Sequence, residues 1–176
     1  PIVSQYDIRG EGTSQSGLGD AVITGFISPS QSKLTWGVGP AMILPTATNQ
    51  YLGGKKFGIG PSAVVLTQIN GWTIGGLANH IFSVAGDENR SDISATFLNP
   101  FFGYNWKSGS GMILNSEYTH DWENDLDIFV VMPTLTAVTK FGSQIVSFAI
   151  GPRIHFAPET RPNYGIRAAV IMVFPK

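Results

Sequence analysis

The stretch from Asn163 to Lys176 reads NYGIRAAVIMVFPK, and its apolar residues recur at every second position. One parity of this stretch consists of Tyr164, Ile166, Ala168, Val170, Met172 and Phe174. The other parity holds small or polar residues, among them Arg167. A period of two with one apolar face predicts a β-strand, because successive side chains of a strand point to opposite faces. In a soluble sandwich the apolar face points into the core, whereas in a membrane barrel it meets lipid.

Upstream segments repeat this alternation and predict an all-β chain of eight complete strands after an N-terminal stub at Pro1–Tyr6. The segments with a clear period are Leu34–Thr46, Phe57–Gln68, Trp72–Ala85, Ile93–Trp106, Met112–Trp122, Leu126–Lys140, Gln144–Ala157 and Asn163–Lys176. Asp20–Ser28 also has the composition of a strand, although its apolar face is weakly resolved. Asp7–Gly19 (DIRGEGTSQSGLG) has no apolar period and is predicted to be a loop.

The connections between these segments have the length of hairpins, and Asn70-Gly71 is the strongest hairpin signal among them. Parallel neighbours would need crossovers of about a dozen residues or more, so the chain is predicted to form an up-and-down antiparallel meander. Short connections start near residues 29, 69, 107 and 141. Longer and on average more charged connections start near residues 7, 46, 85, 122 and 158. Outer-membrane barrels have this asymmetry, with short periplasmic turns and longer outer loops.

Aromatic residues on the apolar parity lie near the predicted strand ends, where the aromatic girdles of membrane barrels belong. These residues are Trp36, Trp72, Tyr104, Trp106, Tyr118, Trp122 and Tyr164. Together with the loop asymmetry they predict a transmembrane β-barrel. The alternative is a soluble barrel or sandwich in which the same aromatic side chains pack a core.

The composition of the 176 residues excludes several classes of protein and of functional site. Only 13% of the residues are charged and 43% are apolar, yet no run approaches the roughly 18 apolar residues of a membrane-spanning helix. The net charge of −1 excludes a strongly basic surface, so no nucleic-acid partner is expected. The chain has no Cys, which excludes disulfides, thiolate metal sites and a Cys nucleophile. Because Pro1-Ile2-Val3 opens within a strand pattern, the chain is expected to be processed or truncated.

Several short pieces of the chain resemble a bacterial family named for the MetA pathway of phenol degradation, whose members are often labelled "transporter". The pieces are WGVGP, LPTAT, GPSAV, WTIGGLANHIFS, AGD and the final FPK, spread over nearly the whole chain from Gly17 onward. The resemblance implies a β-barrel of the Gram-negative outer membrane that lets small, often apolar or aromatic compounds through. It also implies about twelve strands in a full-length chain, with residues 1–176 as the C-terminal three-quarters of one barrel domain.

The resemblance also implies the partners of the protein. They are the lipid bilayer of the outer membrane, a small-molecule solute, and the barrel-insertion machinery. Phe174 resembles the terminal aromatic residue of the assembly signal that this machinery recognises, although Pro175 and Lys176 follow it here.

In a barrel, the polar parity of each strand faces the lumen, and its chemistry is predicted to define the site. The lumen-lining or constriction residues expected are Asn99, Asn115, Glu117, Asp121, Lys140, Arg153, His155 and Arg167. Acidic groups lie on one strand and basic groups on the next three, so Glu117 and Asp121 are predicted to pair with Arg153 or Arg167. Such a cluster could bias passage by charge, or the ion pairs could be structural and plug the interior. Glycines of the earlier strands predict a small, nearly uncharged wall on the opposite side.

No pattern in the chain points to catalysis, a cofactor or a metal. A G-x-S-x-G sequence is absent, and His80, Ser116 and His120 lie on the apolar parity. The loop residues from Asp87 to Asp92 could hold Ca²⁺, but an acidic, solvated loop is the commoner case. The function predicted is a passive channel or uptake pore without enzymatic activity. The alternatives are a soluble or periplasmic β-barrel that binds an apolar ligand, and a plugged structural barrel.

Overall fold

The computed structural model of the protein describes residues 2–6, 14–29, 34–142, 144–156 and 164–173. All regular secondary structure in these residues is β-strand. The eleven strands are β1 (Ile2–Tyr6), β2 (Ser14–Leu18), β3 (Ala21–Thr24), β4 (Thr35–Leu44), β5 (Lys56–Ile69), β6 (Trp72–Gly86), β7 (Ser94–Asn105), β8 (Ser110–Asp121), β9 (Leu126–Phe141), β10 (Gln144–Phe156) and β11 (Tyr164–Val173). Among the described residues, no helix is long and apolar enough to cross a membrane.

The strands form two antiparallel sheets. β1 and β2 pair as a separate two-stranded hairpin, and β3 to β11 form one nine-stranded sheet in chain order. Each strand of the large sheet therefore lies beside its neighbours in sequence, and the predicted up-and-down antiparallel topology is confirmed. The sheet curls into a half-barrel. Within the described residues its two outermost strands, β3 and β11, do not pair with each other.

Two details of the predicted strand pattern are wrong. The large sheet contains nine strands and not the eight counted from the sequence, although the strand predicted at Asp20–Ser28 is present as the short strand β3. The predicted loop Asp7–Gly19 contains β2, which pairs with β1 from Ile2↔Leu18 to Tyr6↔Ser14. β2 reads SQSGL, and it is held by its backbone ladder with β1, so hydrophobic periodicity could not reveal it. The predicted connection near residue 158 and Phe174 lie outside the described residues.

The two faces of the large sheet differ in exposure. The predicted apolar parity is the more exposed one, as on β10, where Phe148, Ile150 and Phe156 are exposed and the residues between them are partly covered. This parity forms the convex face of the curled sheet, and the polar parity forms the concave face. Four of the five buried apolar residues lie on the concave parity, namely Ala41, Ile81, Val130 and Met132.

Glycine and proline positions coincide with close strand approaches and with interruptions of the pairing. A Cβ on Gly60 would overlap the carbonyl oxygen of His80 on the neighbouring strand, so only glycine permits this approach. Gly39 and Gly151 lie equally close to neighbouring backbone, and each of the three glycines precedes a proline. Each of Pro61, Pro100, Pro133 and Pro152 has lost its pairing with one of its two neighbouring strands. The register between the two strands is the same before and after each of these interruptions. Proline cannot donate to the ladder, so these sites weaken the pairing where the sheet bends.

Candidate functional site

The centre of the concave face is an ion cluster around Glu117 on β8. Arg153 Nη2 on β10 donates to Glu117 Oε2 at 2.6 Å, and Arg167 Nη1 on β11 donates to Glu117 Oε1 at 3.2 Å. The carboxylate side chain is only 13% exposed. All three residues lie on the concave parity of their strands. The curl of the sheet allows Arg153 to reach Glu117 across β9, and Arg167 to reach it across β9 and β10. The predicted pairing of Glu117 with Arg153 or Arg167 is therefore confirmed, and Glu117 pairs with both.

Met132 of β9 lies beneath this cluster. It is 3% exposed, and its Sδ lies 3.9 Å from Arg167 Nη1. The directly adjacent concave residue, Val130, is opposite Glu117 and is 2% exposed. Apolar side chains thus form the floor on which the guanidinium groups rest. Glu117 is nearly covered, whereas the side chains of Arg153 and Arg167 are 40% and 59% exposed, so water reaches the arginine side of these bonds.

The cluster carries an excess of positive charge. One carboxylate faces two guanidinium groups, and Arg153 Nε is a buried N–H without a hydrogen-bond partner among the described residues. A guanidinium group has five N–H donors in a planar fork, and each arginine donates only some of them to Glu117. The arrangement therefore keeps donor capacity for a further acceptor.

The predicted pairing of Asp121 with an arginine is wrong. Asp121 ends β8, where its Oδ1 accepts the backbone N–H of Glu123 at 3.0 Å and that of Asn124 at 3.3 Å. Its Oδ2 accepts Asn124 Nδ2 at 2.8 Å. Aspartate side chains commonly stabilise a turn by accepting a hydrogen bond from the backbone N–H two residues further along the chain. The carboxylate of Asp121 is therefore bonded within the loop that follows β8.

Asn99 on β7 has a structural role in the ladder. Its Nδ2 donates to the carbonyl oxygen of Ser116 at 2.9 Å, at the point where pairing between β7 and β8 is interrupted beside Pro100. Pro100 has no N–H to offer this carbonyl, and the side chain of Asn99 supplies the missing donor. Of the predicted lumen residues, Asn99 is therefore explained by the proline next to it.

The remaining predicted residues lie on the concave parity at different heights. Asn115 is half-buried opposite Met132, and His155 lies opposite Val130, so both are neighbours of the ion cluster. Lys140 lies opposite Ile145 at the short-turn end of β9. About ten residues separate Lys140 from Val130 along the strand, or roughly 30 Å, so Lys140 is not part of the cluster.

The opposite wall of the concave face is only partly as predicted. Gly37, Gly58 and Gly60 are buried and small, as expected. Leu77 and Phe101, however, also lie on the concave parity of β6 and β7 and are partly covered. These bulky apolar side chains make the wall apolar rather than merely small. The alternation of β7 places Phe101 on the same parity as Asn99, so the sequence itself contains the signal for this apolar side chain.

A polar row on the convex face was not predicted as a unit. His80, Thr96, His120 and Asp127 are opposite one another on β6 to β9. Thr96 Oγ1 lies 3.0 Å from His80 Nδ1, and Asp127 Oδ1 lies 2.8 Å from His120 Nδ1. Trp122 Nε1 also donates to Thr96 at 2.9 Å. Single-sequence patterns give parity but not the register between strands, so the alignment of these residues could not be read from the sequence.

The longer connections are held by their own polar contacts. Asp92 accepts Lys56 Nζ at 2.9 Å and Ser83 Oγ at 3.0 Å, and the hydrogen bond from Lys56 lowers the pKa of the Asp92 carboxyl. The backbone N–H of Asn89 lowers the pKa of Asp87 in the same way. These carboxylates serve neighbouring donors, and the described residues contain no group of three or more acidic or His side chains that could hold a metal.

Comparison with protein-family models, curated proteins and solved structures finds no match to this chain. The resemblance to the phenol-degradation family therefore stays a prediction from the quoted sequence pieces.

Proposed function

We propose that the protein is an outer-membrane β-barrel of Gram-negative bacteria that acts as a passive channel for small molecules, including apolar and aromatic ones. The observation that supports this proposal most is the convex face, where large apolar side chains are exposed along strand after strand. Examples are Trp36, Trp72, Phe82, Phe102 and Ile150. Soluble monomers rarely expose a continuous apolar surface of this extent.

The height of the apolar surface fits a bilayer. On β6 the outward side chains run from Trp72 to Phe82, and both are more than 40% exposed. About ten residues at 3.3 Å each, tilted by about 40°, rise roughly 25 Å, which is the height of the apolar band on outer-membrane barrels. The band on this strand is therefore tall enough to meet the hydrocarbon region.

Aromatic clusters lie at both margins of the band. At the short-turn end, the Trp72 ring centroid lies 4.8 Å from those of Phe102 and Tyr104. At the opposite end, Trp122 packs edge-on against His120 at 4.3 Å. Rings with one apolar and one polar side favour the interface between lipid and water, so these clusters support girdles at both margins.

The polar row on the convex face is partly satisfied within the protein. His80 bonds Thr96 and His120 bonds Asp127, so one polar atom of each of these side chains has a partner. Polar groups that face hydrocarbon need such partners, and these bonds lower the cost of placing the row against lipid.

A soluble barrel that binds an apolar ligand would require the reverse distribution. It would direct its large apolar residues to the interior and its charges to the outside. In the described residues the charged cluster of Glu117, Arg153 and Arg167 lies on the concave face instead. This distribution favours the membrane barrel over the soluble alternative.

Single-channel recording of the full chain in a planar bilayer tests the proposal. We expect steady, ohmic conductance steps, and an ion selectivity that changes in a Glu117→Gln, Arg153→Gln double variant. Folding and insertion are checked separately by heat-dependent mobility in gels and by flotation with liposomes. Silence from protein that has folded and inserted would contradict an open pore and would leave a plugged barrel as the better account.

A further inference from the structure

We propose that Arg153 and Arg167 form a binding point for a monocarboxylate with an apolar body, and that this class of anion is the solute of the channel. The inference rests on the proposed function, since it assigns the solute class to the concave face of the same barrel.

The first argument is the balance of charge and donors. Within the described strands β3 to β11, the concave centre has one carboxylate, Glu117, against two guanidinium groups. Their contacts with Glu117 use one N–H group of each arginine, and Arg153 Nε is buried without a partner among the described residues. A second carboxylate would neutralise the excess charge and accept the remaining donors in the bidentate geometry that the guanidinium fork favours.

The second argument is that both arginines are already held in position. Glu117 is nearly covered and fixes one N–H group of each guanidinium, while Met132 contacts Arg167 from below. Holding these long side chains in advance lowers the conformational entropy that a ligand would otherwise have to remove. The bonds to Glu117 thus position the binding groups, although its negative charge competes with an incoming anion.

The third argument is the apolar surface in line with the arginines. Phe101 and Asn115 are opposite each other, Asn115 is opposite Met132, and the constant register of β9 and β10 places Arg153 next in this row. The terminal carbon of the Phe101 ring occupies the space that a Cβ on Gly75 would need, so the ring lies on the concave face. A carboxylate bound by Arg153 would therefore have its apolar body above Asn115 and the nearly covered Met132, directed toward the Phe101 ring.

Binding of benzoate to the folded full chain, measured by titration calorimetry in detergent, tests the proposal without requiring conductance. We expect measurable binding to the wild type, and a weakening of about tenfold to a hundredfold in Arg153→Gln and in Arg167→Gln, the range of one charged hydrogen bond. Glu117→Gln should bind benzoate several-fold more tightly, because the competing charge is removed. Arg153→Lys keeps the positive charge but loses the planar guanidinium fork. Its affinity for benzoate should therefore lie between that of Arg153→Gln and that of the wild type.

Controls separate the site from general effects. Lys107→Gln, in the exposed turn between β7 and β8, makes the same change in net charge and should leave benzoate binding unchanged. Benzyl alcohol, which lacks the charge, and inorganic phosphate, which lacks the apolar body, should bind at least tenfold more weakly than benzoate.

The proposal is overturned if benzoate does not bind, or if the arginine variants bind benzoate with wild-type affinity. It is also overturned if Lys107→Gln weakens benzoate binding as much as the arginine variants do. Equal binding of benzyl alcohol or of phosphate also overturns it, because the site would then not select a carboxylate with an apolar body. A conducting protein without benzoate binding refutes only this inference. A silent protein that binds benzoate supports the binding point, but it refutes the open channel and with it the assignment of this anion class as the channel's solute.

Discussion

Asn99 and Asp121 show how a side chain on the concave parity can be occupied by nearby backbone. Asn99 bonds the carbonyl oxygen of Ser116 on the neighbouring strand, and Asp121 bonds the turn that follows β8. Glu117 is opposite Asn99 in the constant register of β7 and β8, and it is the residue on which Arg153 and Arg167 converge. Parity in the sequence predicted the direction of all these side chains. It could not predict which of them a neighbouring proline or turn would occupy.

Replacement of Asn99 by Ala is expected to lower the free energy of unfolding by about 1 kcal/mol, because the Ser116 carbonyl loses its donor beside Pro100. In an Asn99→Ala, Pro100→Ala double variant the new N–H at position 100 can bond this carbonyl. We therefore expect most of the loss to be recovered in the double variant. Urea unfolding of the protein in lipid vesicles measures both changes.

Asn115→Ala, the same substitution on the neighbouring strand, is the control for loss of an amide on this face. If the double variant is no more stable than Asn99→Ala alone, the role assigned to Asn99 is refuted.

At the scale of the elements, the sequence predicted the long strands well, and among the short ones it predicted β1 and β3 but missed β2. β4 to β11 contain clear two-residue periods, and the Asn70-Gly71 turn has the positive φ angles, 51° and 87°, that this hairpin signal predicts. β2 and β3 have only five and four residues, too few for a period to be recognised. The alignment of His80 with Thr96 and His120 depends on pairing between strands, and a single sequence does not contain that information directly.

The connection between β6 and β7 supplies a pH-dependent contact. Lys56 lowers the pKa of Asp92, so the contribution of the ionised Asp92 to stability is fully present above the ordinary pKa of 3.8 and is lost as the pH falls through the lowered value. We expect the amide of Ile93, which donates to Ser83 Oγ at 3.1 Å, to lose protection from hydrogen exchange over this range. Exchange rates corrected for the intrinsic effect of pH measure the change.

Asp92→Asn removes the charge that Lys56 stabilises, and in this variant the protection of Ile93 should not change with pH between 5 and 3, an interval of about two units around the ordinary aspartate value. A pH dependence that persists unchanged in Asp92→Asn would contradict the assignment to this carboxylate.

At the scale of the whole molecule, the two faces of one curled sheet have opposite chemistry. The convex face exposes Trp, Phe, Ile and Leu side chains, and the concave face holds the ion cluster above Met132. Gly39, Gly60 and Gly151 permit the close strand approaches that accompany the curl. The sequence predicted which parity is apolar, but alternation is the same for a sandwich and a barrel. The curl of the sheet and the exposure of its apolar face are what show that the apolar parity points outward and the polar parity points inward.

The central claim is that the convex face meets lipid, and a spin-label scan along β6 tests it most directly. Because the chain has no Cys, single Cys substitutions at Ile74 and Ala78 on the convex parity, and at Leu77 and Asn79 on the concave parity, can each be labelled uniquely. In protein reconstituted into vesicles, the account predicts that convex labels collide with oxygen, which partitions into lipid, and that concave labels collide with a water-soluble nickel chelate. Convex labels that are reached by the chelate instead, or by neither reagent, would contradict it.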